Sequence, residues 1–120
     1  MDEIMNNNDM RPSELPACPV ETTLTLISDK WKVLIIRDLM PGKKRCGELK
    51  KSIGHVTQKV LTAQLRQMEQ TGLLTRTVYA EVPPRVEYAL TELGYSLKPI
   101  LDALSEWGEA YKQHQGRDAD

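Results

Sequence analysis

The sequence predicts an α+β domain, mostly α, in which one short β-hairpin interrupts a run of helices. Three observations carry that reading. Apolar residues recur at helical spacing over most of the 120 residues. The period changes from 3.6 to 2 just after Gly72 and becomes helical again at Thr91. Between the two alternating runs lies Ala80-Glu81-Val82-Pro83-Pro84, whose prolines cannot donate ladder hydrogen bonds and so belong in a connection.

Residues 1–17 read as a disordered N-terminal tail, with an Asn run, two prolines and little periodicity. One domain is expected over residues 18–113, followed by a polar C-terminal tail over 114–120. Cys18-Pro19 opens the first helix, because proline suits the first helical position and leaves Cys18 at or near the N-cap. Ser28-Asp29 breaks that helix and can cap the next, Trp31 to Met40. There Trp31, Leu34, Ile35 and Leu39 make one apolar face, and Val33, Ile36 and Met40 another. A helix apolar on two sides calls for two partners, the core and either a second subunit or the N-terminal helix. Pro41-Gly42 stops it, and Lys43 to Arg45 forms a basic bridge, one turn or a brief strand. Gly47 to Ile53 reads as a short third helix with Leu49 and Ile53 inward, ended by Gly54.

The stretch from Thr57 to Leu74 organises the rest. Thr57 can cap a helix, Leu61, Leu65 and Met68 share one side, and Gly72 can take the left-handed conformation that ends it. The other side carries Lys59, Thr62, Ala63, Arg66 and Gln70, with no acid before Glu69. A solvated helix commonly mixes both charge signs, whereas donors without carboxylates suit a DNA major groove. A plain surface helix that lacks acids is the competing reading. Two helices joined by the tight turn Gly54-His55-Val56, the second bearing the polar face, make a helix-turn-helix pattern. The hairpin that follows, with Arg76 and Arg85 as its cations, is then a two-stranded wing. Thr91 caps the last helix. Its stripe of Leu93, Leu97, Ile100, Leu101, Leu104, Trp107 and Tyr111 is longer than a wing needs for cover, and Pro99 either kinks it or marks its true start. The surplus points to packing on a second copy of the chain, with packing on its own core as the alternative.

Charge placement agrees with a polyanion partner. The chain carries −1 overall, but residues 43–66 hold seven cations against Glu48 alone, +6, which leaves −7 elsewhere. Two cysteines make no secreted-type disulfide framework, and no signal sequence or membrane-length apolar run is visible, so a cytoplasmic location is expected. His55 and His114 are the only histidines, and no metal-spaced cluster, phosphate loop or nucleophile–base pair appears. No enzyme activity, cofactor or metal is expected.

The strings CPVETTLTLISDKWKVLIIRDLM, TQKVLTAQLRQMEQTGLLTR and YAEVPPRVEYALTELGYSLKPILDALSEWG resemble the HxlR family of bacterial winged-helix transcriptional regulators, relatives of MarR-type regulators, over about Cys18 to Gly108. The resemblance implies a winged helix-turn-helix with N- and C-terminal dimerisation helices, working as a homodimer on a pseudo-palindromic operator in double-stranded DNA. By position it makes Gln58, Lys59, Thr62 and Arg66 the major-groove contacts and sends Arg85 to phosphate or the minor groove. Lys43, Lys44, Arg45, Lys50 and Lys51 would add phosphate contacts. The sequence departs from the family at Arg45-Cys46-Gly47, where an aromatic and then Ser are usual. Cys46 replaces the aromatic and Gly47 the hydroxyl cap, a loss of a few tenths of a kcal/mol. Cys18 matches the position where several members sense electrophiles or oxidants, and free amides at a helix start favour a thiolate. A small, merely structural Cys18 is the other reading. The expected function is a dimeric sequence-specific regulator, a repressor, responsive to oxidants or electrophiles through Cys18. A winged-helix protein-interaction module without DNA binding is the alternative.

Overall fold

The computed structural model describes residues 14–119, with side chains described through residue 116. The expected tail therefore lies largely outside the described residues. The element order is α1 (Pro19–Ile27), α2 (Lys30–Leu39), β1 (Lys44–Arg45), α3 (Cys46–Ile53), α4 (Gln58–Gln70), β2 (Leu74–Tyr79), β3 (Arg85–Leu90), α5 (Glu92–Tyr95) and α6 (Lys98–Ala119). No helix among them is long and apolar enough to cross a membrane.

Helix α2 is the hub. Asp29 caps it, its carboxylate accepting from the Lys32 backbone N–H at 3.0 Å. Ile35, Ile36 and Leu39 are fully buried. Ile36 therefore joins the core rather than a second apolar face. Val33, Leu34 and Met40 are half-buried and line an open groove of about 500 Å³ with Leu101 and Leu104 of α6. Leu49 and Ile53 of α3, Val56 of the turn, and Leu61, Leu65 and Met68 of α4 complete one core, closed by Leu73, Leu74, Tyr88 and Leu90 beneath the sheet.

The sheet is antiparallel with order β1-β3-β2. The expected hairpin is present, with Val78 opposite Val86 and Leu74 opposite Leu90. The basic bridge supplies a third strand, Lys44 pairing with Tyr88 and Arg45 with Glu87. Two residues have no readable period, so sequence alone could not choose strand over turn. The prolines lie in the β2–β3 connection.

Helix α3 starts one residue earlier than its sequence pattern indicates. Its N-cap is Arg45, so Gly47 is not the capping residue. The carboxylate of Glu48 accepts from the Arg45 backbone N–H at 2.7 Å and satisfies the donor outside the first turn. Ser52 of α3 donates to the Asp38 carboxylate of α2 at 2.6 Å. Burial pushes the Asp38 carboxyl up, but the hydrogen bonds from Arg37 and Ser52 and the nearby Lys44 outweigh it, leaving it below the usual range.

The C-terminal helix is in two pieces. Thr91 caps α5, accepting from the Gly94 N–H at 3.1 Å, and its hydroxyl donates to the Gly72 carbonyl at 2.6 Å. Its own N–H donates to the Leu73 carbonyl at 3.0 Å, so the start of α5 is tied to the end of α4. Pro99 then sits in the first turn of α6, where a missing N–H leaves no broken bond, and it marks a true start rather than a kink. The polar stretch from residue 114 continues α6 as helix to Ala119.

Candidate nucleic-acid interface

Helix α4 is built to present one face. Thr57 Oγ1 accepts from the Val60 N–H at 3.2 Å, and the helix ends where Gly72 takes φ +84°. Leu61, Leu65 and Met68 anchor it in the core, which leaves Gln58, Lys59, Thr62, Ala63 and Arg66 exposed. Lys50 and Lys51 are exposed near the end of α3, where cations also complement the helix dipole.

A polar brace sits behind this face. Lys32 is only 6 % exposed, and its Nζ lies 3.1 Å from the Asp29 carboxylate, with Gln64 of α4 beside it. Burial raises the Asp29 carboxyl, but the bonds from Lys32 and Gln64 prevail and hold it below the usual range. The N-cap of α2 thus lies against the middle of α4.

The structure divides the cations into two groups. Lys43 Nζ lies 3.2 Å from Glu87, and Arg85 lies 3.2 Å from Glu81 and 3.6 Å from Glu87. The Arg85 guanidinium also stacks on Tyr79, 4.0 Å from the ring centroid. Burial raises the Glu87 carboxyl, but Lys43, Tyr79 and Arg85 together more than reverse that and leave it below its ordinary range. Lys43 and Arg85, expected as phosphate contacts, are thus held by carboxylates that a phosphate would have to displace. Lys44 is half-buried next to Asp38, and Arg45 is exposed. Lys50, Lys51, Lys59, Arg66 and Arg76 make no ion pair with another described residue.

Arg76 joins this surface although the sequence pattern marks it only as a hairpin cation. It lies on β2 opposite Tyr88. With Thr62, Arg66, Glu69 and Tyr88 it lines a polar cleft of about 250 Å³ between α4 and the sheet. That cleft sets the outer face of α4 and the hairpin side by side, with two unpaired guanidinium groups flanking one acid. The signal was present in the alternation, since Arg76 shares a strand face with Leu74 but lies beyond the core's edge.

Gln58 is less free than its exposure implies. Its Nε2 donates to Cys46 Sγ at 3.1 Å and to Thr62 Oγ1 at 3.1 Å. Cys18 is the exposed N-cap of α1, Cys46 is half-buried, and both are free thiols. Among the described residues no group of three His, Cys, Asp or Glu could hold a metal ion.

A second surface lies outside the basic face. Leu104 is 52 % and Trp107 69 % exposed, and Ile100 and Tyr111 are also exposed on α6, with Trp107 stacked on Tyr111 at 5.4 Å. On α1, Val20 and Leu24 are likewise exposed. Large apolar side chains in contiguous exposed rows mark an association surface.

Comparison with known proteins gives one answer. The family profile described as HxlR-like helix-turn-helix matches residues 26–116. The uncharacterized HTH-type transcriptional regulator YdeP of Bacillus subtilis (strain 168) is 46% identical over 104 residues, 87% of this chain and 81% of that protein. An uncharacterized HTH-type transcriptional regulator of Methanothermobacter thermautotrophicus is 49% identical over 110 residues, 92% of this chain and 83% of its own. Among solved structures, the redox regulator HypR in its reduced form superposes with a TM-score of 0.78 at 43% identity, covering 83% of this chain and 99% of HypR.

Proposed function

This chain belongs to the HxlR-like helix-turn-helix family and is a DNA-binding transcriptional regulator, and from that premise we propose that it acts as a homodimeric repressor whose α4 reads each half of a pseudo-palindromic operator. The observation that carries the assignment of the face is the unpaired pair Arg66 and Arg76 lining one cleft, with unpaired Lys59 exposed on the same helix as Arg66. Lys59 and Arg66 are at helical spacing on α4, and burial of Leu61, Leu65 and Met68 on the opposite side turns them outward. Lys50 and Lys51 add phosphate contacts from α3, and Arg76 adds one from the hairpin. Lys44 and Arg45 flank that surface. Lys43 and Arg85 contribute less, because their Glu87 partner must be displaced first.

Fluorescence anisotropy on the promoter DNA nearest its own gene tests this face. Arg66→Ala or Lys59→Ala is expected to cost about 1–3 kcal/mol of operator binding, roughly five- to a hundredfold. Arg76→Ala should weaken binding several-fold and reduce the salt slope by about 1, whereas Arg85→Ala should change both less. Unchanged affinity in Lys59→Ala and Arg66→Ala, or a larger loss in Arg85→Ala than in Arg76→Ala, counts against the assigned surface.

The dimer rests on the exposed stripe of α6, joined by the exposed apolar residues of α1. Redox control rests on the exposed Cys18 and on the similarity to a protein solved as a redox regulator in reduced and oxidized forms. An oxidant that takes two electrons and two protons from a pair of thiols would join Cys18 in a disulfide. Diamide is expected to lower operator affinity of the wild type at least about tenfold and to leave Cys18→Ser unaffected. Equal loss in both proteins would remove Cys18 as the sensor.

A further inference from the structure

Gln58 supplies the first side chain of α4, and its amide nitrogen is committed twice inside the protein, to Cys46 Sγ and to Thr62 Oγ1, each at 3.1 Å. A primary amide has two N–H donors and one carbonyl acceptor. One donor goes to the thiol at the start of α3, the other to the hydroxyl one turn along α4. The carbonyl Oε1 has no partner among the described residues, and the side chain is exposed. A glutamine that reads adenine in bidentate fashion must accept from N6 and donate to N7 together. With both donors occupied, Gln58 can only accept.

We propose that Cys46 and Thr62 act as positioning residues that fix Gln58 as a pure acceptor, so that its operator contact is a base with an exocyclic amine in the major groove. Cytosine, through N4, and adenine, through N6, meet that condition. Guanine and thymine present only acceptors on that edge beside the thymine methyl, and are refused there. Cys46 is itself half-buried on a different helix and takes no part in the contact. Its effect is on choice of base rather than on overall affinity, which comes from the unpaired cations. The inference rests on the assignment of α4 as the reading helix and adds what one position reads.

Selection from a randomised DNA pool, followed by anisotropy on the winning sites, tests it with the full chain. Wild type is expected to favour cytosine or adenine over guanine and thymine at one position per half-site, by about five- to a hundredfold. Cys46→Ala frees one amide hydrogen and should admit guanine or thymine there, with total affinity for the best site within about twofold. Cys46→Ser restores an acceptor at the same place and should restore the preference. Gln58→Glu, an acceptor without donors, should keep an amine-bearing base at that position even if its affinity falls. A Cys46→Ala base profile identical to wild type overturns the proposal, as does a preference for guanine or thymine in Gln58→Glu. If wild type enriches no position at all, the assignment of α4 as a reading helix falls too, a failure visible without any variant. Melting temperatures of the variants check that they are folded.

Discussion

Gly94→Ala is expected to destabilise the protein by about 2–4 kcal/mol, although alanine is the better helix former by about 1 kcal/mol. A Cβ at this buried position would lie 2.2 Å from the Leu73 carbonyl oxygen and 3.0 Å from Leu90 Cδ2. Leu90 can shift its tip a little. The Leu73 carbonyl cannot, because it accepts the Thr91 N–H at 3.0 Å and belongs to the link between α4 and α5. Moving it would break that bond, or push Leu73 and Leu90 out of the core they close. The expected readout is a fall in the thermal midpoint of roughly 10–20 °C. Gly116→Ala serves as the control. It is also helical, its added Cβ meets nothing within 4 Å, and it should be neutral or slightly stabilising. Similar melting of Gly94→Ala and wild type would mean that α5 does not approach the end of α4 as described.

Leu104→Asp is expected to convert the proposed dimer to a monomer and to lower operator affinity at least about a hundredfold. Leu104 is half-exposed in the single chain, so a carboxylate there leaves the monomer's core untouched. In a dimer packed through α6, two carboxylates would enter an apolar seam beside Trp107 and Tyr111. Burying an unpaired charge costs several kcal/mol, which is enough to dissociate a small interface. Loss of pairing removes the second half-site. Linked binding of two modules exceeds either alone by about 10²–10⁴, which sets the scale of the loss. Light scattering after size exclusion reads the mass, and anisotropy reads the affinity. A dimer that survives Leu104→Asp with wild-type mass would place the subunit contact elsewhere, and an unchanged operator affinity would remove pairing from the mechanism.

Much of the architecture was legible because the deciding interactions are local. Thr57 reaches an amide three residues on, Asp29 does the same, and Gly72 ends α4 in a backbone conformation that side chains resist. Pro99 could have kinked a helix or begun one, and the structure shows that it begins one. The alternation after Gly72 gave both wing strands with their register open. What stayed hidden were pairings across long separations. Nothing near Lys43 announces that Glu87, far along the chain on β3, will hold it. The strand at Lys44-Arg45 exists only because β3 lies alongside it. Ile36 looked like half of a second apolar face, yet α3, α4 and the sheet surround α2 closely enough to bury it.

Local chemistry in the sequence, meaning caps, stops and apolar spacing, determined that this chain forms a winged helix with a carboxylate-poor helix turned outward. Only the tertiary structure decided which of its cations are available. Charges far apart in sequence neutralise one another when folding brings them within about 4 Å, and no spacing rule records that distance. The same holds for Gln58, one of whose two donors is taken by a thiol from another helix.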